Sequence, residues 1–200
     1  MINRNLINIL LFFFIISFIS CSTIKKNITQ KKDFSEIVKI AQKELSQILN
    51  KIPNGEEKLY GFNNAEEIAN VKINNPIEFY KIENEELKTT SSYRVPITVA
   101  DEFRALATIE YINDTPHIVD FGANILAKEI QTVCKENSKM NFVGILRIYD
   151  MYSDFIIMSK KQNYFFIPLT SAKMYLKSIG ISNPDNYYSK SQVLSFIKNK

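Results

Sequence analysis

The sequence predicts an α+β fold, with helices packed on antiparallel β-meanders. Three observations carry that prediction. Short runs rich in β-branched and aromatic residues come in groups separated by turn-formers, rather than alternating singly with helices. Each group follows a segment whose apolar residues recur at helical spacing. The composition, 46% hydrophobic and 23% charged in 200 residues, is that of an ordinary folded chain.

Residues 1–20 stand apart from the fold. Met1–Asn5 carry Arg4, Leu6–Ile19 are almost wholly apolar, and Ser20 is small. The run is shorter than the ~20 residues a spanning helix needs, and it reads as a secretory leader. Residues 21–32 are polar and basic without periodicity, and read as a tether. Residues 33–200 are the globular domain.

The domain opens with a helix. Asp33 and Glu36 have the spacing of a capping box, and Phe34, Ile37, Val38, Ala41, Leu45, Ile48, Leu49 and Ile52 mark one apolar face. Pro53-Asn54-Gly55 ends it. A short helix over 65–71 follows, with Asn64 as its cap. Ile77–Ile82, Ser92–Val99, Phe103–Ile112 and His117–Phe121 are then predicted strands, the last three joined by tight turns at Ala100-Asp101-Glu102 and Asn113–Pro116. Pro76, lacking an N–H, places the first of these at a sheet edge.

Gly122 closes this meander. A helix over 125–136 follows with Asn124 as cap, turning Leu126, Ile130, Val133 and Cys134 inward. Phe142–Tyr149, Asp154–Ser159 and Tyr164–Ile167 form a second meander. A helix over 171–178 stops at Gly180. The last helix starts at Ser189, with Gln192 completing a capping box and Tyr188 facing Val193 as a hydrophobic staple.

The two halves share a helix-then-meander plan without a residue-level repeat. At the level of topology this plan resembles cystatin-like and PepSY-like modules of bacterial envelopes. The cystatin likeness implies protein binding, such as inhibition of a peptidase.

The strongest signal is Phe18-Ile19-Ser20-Cys21, which resembles a bacterial lipobox of the signal peptidase II type. Phe18 departs from the aliphatic residue usual at that position. The resemblance implies cleavage before Cys21 and acylation of its thiol (palmitate-type chains), which would hold the protein on a membrane of the cell envelope. Each buried methylene contributes about 0.8 kcal/mol, so two or three chains anchor stably. Ser22 after the cysteine resembles the signal that sorts such proteins to the outer membrane, on its periplasmic or surface face. Lys25-Lys26 and Lys31-Lys32 flank the anchor and would attract anionic headgroups. An uncleaved anchor or simple secretion would leave Cys21 free, and a Cys21–Cys134 disulfide would then be conceivable.

The net charge of +4 is scattered. No basic stripe with interleaved aromatics exists, which excludes nucleic-acid binding. One histidine and one cysteine besides Cys21 give no zinc or haem spacing, and no phosphate loop, dinucleotide fingerprint or serine elbow is present. No cofactor, metal or catalytic residue is therefore assigned. Cys134 with His117, or the carboxylate pairs Glu66/Glu67 and Glu85/Glu86, are the residues a hydrolase would use. Tyr149, Tyr152, Phe155, Tyr164, Phe165 and Phe166 could line a groove for a small hydrophobic or glycan ligand, or pack a core. The function expected from all this is partner binding or scaffolding by a membrane-anchored, non-catalytic domain, with ligand binding as the alternative and a Cys-dependent hydrolase as a third reading.

Overall fold

The computed structural model describes residues 33–198. Phe34–Lys200 form one compact unit. Its elements are α1 (Ser35–Leu49), a 3-10 turn (Glu57–Tyr60), α2 (Ala65–Ala69), β1 (Lys72–Ile73), β2 (Ile77–Glu83), β3 (Glu86–Val99), β4 (Glu102–Ile112), β5 (Thr115–Gly122), α3 (Asn124–Glu136), β6 (Asn141–Ile148), a 3-10 turn (Tyr149–Met151), β7 (Ser153–Lys160), β8 (Asn163–Pro168), α4 (Thr170–Ser178) and α5 (Lys190–Lys198). The α+β class is as expected. Among the described residues no helix is long and apolar enough to cross a membrane. Cys21, the leader and the tether lie outside the described residues.

The two meanders do not make separate sheets. They join through one parallel pairing, Phe79 with Ile145 and Tyr80 with Leu146, into a sheet ordered β5-β4-β3-β2-β6-β7-β8. β1 sits in line with β2 on the same side of β3. The expectation from Pro76 is therefore corrected: β2 is central, between β3 and β6. Pro76 is tolerated because it falls in the break between β1 and β2, where no ladder bond is required of it.

The sheet is covered on both faces. On one face, Ile37, Ala41, Leu45 and Leu49 of α1 pack on Tyr93, Val95, Ile97, Ala105, Ala107 and Ile109. Further along that face α4 and α5 cover Leu146, Phe155, Ile157 and Phe166. On the other face Ala127, Ile130 and Val133 of α3 cover Phe79, Leu106, Ile145 and Ile156. This explains the blurred alternation of β4, where neighbouring Ala105, Leu106 and Ala107 are all fully buried.

Tight turns set the register. Asn84–Glu85, Ala100–Asp101, Asn113–Asp114 and Lys161–Gln162 all have positive φ at both residues, the geometry that matches strand twist in a two-residue hairpin. Helix ends followed expectation unevenly. Ser189 N–H donates to Gln192 Oε1 at 2.8 Å, and Gln192 N–H donates to Ser189 Oγ at 3.3 Å, which is the capping box. Asn64 caps α2 through Glu67 N–H at 3.0 Å. At α1 the cap position is Phe34, without a side-chain cap, and Asn124 is the first residue of α3 rather than its cap.

Candidate binding groove

A groove of about 750 Å³ lies between α1, α2 and β1. α1 supplies two rows at four-residue spacing. Leu45 and Leu49 form the inner, apolar row, and Gln42, Ser46 and Asn50 form the rim. Ala65, Ile68 and Ala69 form the facing wall from α2, and Val71, Lys72 and Ile73 close the end. Small alanines keep the wall low. The lining holds no carboxylate, and Lys72 pairs with Thr98, so its side chain points to the α3 face of the sheet, away from α1.

The α2 wall is held by a dedicated polar network. Arg104 Nη2 meets Glu67 Oε1 at 2.7 Å, with both side chains largely buried, and Arg104 Nη1 meets the exposed Glu102 at 2.9 Å. Asn63 donates to Glu67 from its backbone at 2.8 Å and from its side chain at 2.7 Å. Burial works against the Glu67 charge, but the Asn63 hydrogen bonds and the Arg104 guanidinium outweigh it and hold the carboxyl below its usual value. Gly61 completes the anchor. Its φ is +97°, and a Cβ there would collide with the Arg104 carbonyl oxygen and lie 2.7 Å from Asn124 Cβ. A segment of only five helical residues is thus fixed by a buried ion pair and a close backbone approach.

The residues expected from sequence to carry chemistry are dispersed. Cys134 lines a separate recess of about 200 Å³ with Ile77, Ile130 and Phe142. Burial pushes its thiol up to about 11. His117 sits on β5, with Nδ1 2.9 Å from Glu44 Oε1 of α1. Cys134 belongs to the α3 face of the sheet and Glu44 to the α1 face, so the structure does not assemble a Cys–His pair. Glu85 pairs with Lys198 at 2.6 Å and Glu67 is taken up by Arg104, so neither carboxylate pair converges on a cleft. The second meander's aromatics divide: Phe155 and Phe166 are core, whereas Tyr149, Tyr152 and Tyr164 are exposed. None of them lines the groove.

Sequence reading missed a charged network on the α3 face. Arg94 meets Asp120 at 3.3 Å and lies over the Phe79 ring, while Arg147 meets Asp154 at 3.3 Å and lies over Tyr149. Burial lowers the Arg94 pKa and raises that of Asp154. Glu110 also acts on Arg94 and Glu129 on Asp154, so the two cations are embedded among carboxylates. The alternation of β3 could have flagged Arg94, which shares a face with Pro96 and Thr98. No family model, curated protein or solved structure matches this chain.

Proposed function

We propose that this chain is a membrane-anchored cell-envelope lipoprotein whose folded domain acts by binding a partner. The observation that carries the reading is Phe18-Ile19-Ser20-Cys21 at the end of an apolar leader, followed by a basic tether. The domain supports a binding role through its groove, whose α2 wall is held by the Glu67–Arg104 pair and the close approach at Gly61. A thiol pushed up to about 11 is protonated at neutral pH, which argues against the Cys-dependent hydrolase. The apolar floor of the groove favours a second reading, a small hydrophobic ligand.

The test of the anchor is Cys21→Ser. It should abolish metabolic fatty-acid labelling and release the protein from membranes. Unchanged membrane attachment would refute the lipoprotein reading. Crosslinking in intact envelopes tests the other half: recurrent capture of one protein supports a partner, whereas native mass spectrometry showing a co-purified lipid favours the small ligand.

A further inference from the structure

We infer that the groove receives an extended polypeptide segment of a partner, which adds as a short strand to the free edge of β1. The inference rests on the partner-binding reading above and names what the partner presents. Lys72 pairs with Thr98 and Ile73 with Ile97, and Asn74 N–H donates to the Pro96 carbonyl at 3.0 Å. In an antiparallel ladder hydrogen-bonded and non-hydrogen-bonded pairs alternate. Asn74 and Pro96 are a hydrogen-bonded pair, so Ile73 and Ile97 are not. Ile73 therefore turns its N–H and C=O away from β3.

Nothing among the described residues takes those two groups. β6 flanks β2 on that side, but it starts at Asn141 and pairs with β2 and β7 only. Ile73 also lines the groove, so an unpaired donor and acceptor stand beside an apolar floor of Leu45, Leu49 and Ile68. A lipid tail could use that floor but not the backbone pair. An extended peptide uses both: its main chain bonds Ile73, and alternate side chains point one way into the groove. Lys72 points to the opposite face of the sheet, so the groove presents no charge and its lining selects for alternating aliphatic side chains.

The probe is a fluorescein-labelled Val-Thr-Val-Thr-Val-Glu peptide added to the full chain in detergent micelles. Anisotropy reads affinity, and hydrogen exchange reads the Ile73 amide. We expect saturable binding, with exchange at Ile73 slowed about tenfold or more on saturation. Ala69→Trp fills the groove from an exposed position and should weaken binding by about tenfold. Ile73→Pro removes the outward N–H together with the Ile73 side chain and should weaken it at least as much. Should that variant fail to fold, Ala69→Trp and the Ile73 exchange rate decide. Absence of binding to the folded chain overturns the inference, as does binding that leaves Ile73 exchange and the Ala69→Trp affinity unchanged. Occupancy of the groove by myristate with exclusion of the peptide also overturns it. Envelope crosslinks formed from other surfaces but not from a crosslinker at Ser46 would remove the groove while leaving a partner-binding protein.

Discussion

The sheet has two outer edges and one inner edge, and they are treated differently. At the β5 edge the Ile118 N–H donates to Glu44 Oε2 at 2.8 Å, and the same carboxylate meets His117. At the β8 edge Phe166 and Tyr188 exchange backbone hydrogen bonds at 2.8 and 2.9 Å. The edge of β1 carries no such cover among the described residues. An uncovered outer edge would let copies of the chain add without limit, the hazard that natural sheets guard against. An opening beside a two-residue strand, walled by α1 and α2, admits one short segment and cannot propagate. The comparison teaches that edge exposure is tolerated here only where the surrounding helices limit it.

The sharpest way to break that comparison is Gly61→Ala. The positive φ and the collision with Arg104 would shift the segment carrying α2, and with it the groove wall. We expect a loss of about 3 kcal/mol. The readout is the urea midpoint, with amide spectra locating the shifts at residues 61–73. A variant of wild-type stability would mean that the wall is not held by this contact.

Arg104→Met separates the wall's anchor from its backbone. It keeps much of the aliphatic bulk but leaves Glu67 in a largely buried place without its cation. A loss of about 2 kcal/mol is expected. Repeating the measurement in a Glu67→Gln background should show less than additive loss, because the two side chains act as one unit. Full additivity would sink the claim of a coupled network. Glu44→Ala then tests the β5 edge itself. It should cost about 1 kcal/mol from the lost bond to Ile118 N–H. It should also increase concentration-dependent association relative to the wild type, read by sedimentation. Destabilisation without association would mean that Glu44 ties the helix down without guarding the edge.

How much of this was legible in the sequence follows from what each feature depends on. The α1 stripe, the Ser189 capping box and the hairpin at Asn113–Asp114 were readable because each is local: period, spacing and turn chemistry lie within a few residues. The β2–β3 hairpin was not. Its turn, Asn84–Glu85, lacks the glycine that usually marks this geometry, and residues 86–91 of β3 are polar apart from Leu87 and mostly exposed. The parallel β2–β6 seam depends on contacts across more than sixty residues and has one local trace. Gly144 lies where a Cβ would stand 2.6 Å from the Glu78 carbonyl oxygen and 2.7 Å from the Tyr80 ring. The groove hid for a related reason. Its anchor, Glu67, reads in sequence as half of a solvated acidic pair, and only the fold brings Arg104 to it. The free edge at Ile73 was unreadable, since two residues of strand after a helix carry no pattern.

The smallest expected effect separates the anchor's electrostatics from its packing. The Glu67 carboxyl is held below its usual value of 4.5, so the folded state favours its charged form. That contribution is present in full above pH 4.5 and is lost as pH falls through the folded-state value. Asp154 acts in the opposite sense: burial raises its pKa, so its ionisation costs folded-state stability as pH rises. The wild-type profile mixes the two. The difference between wild type and Glu67→Gln cancels Asp154, because both chains carry it unchanged. That difference should be under about 1 kcal/mol at pH 7 and should close below pH 4.5. A difference that persists unchanged into acid would assign the role of Glu67 to shape and neutral hydrogen bonding with Asn63. The α2 wall would then stand without charge, and Arg104→Met would owe its effect to Arg104 alone.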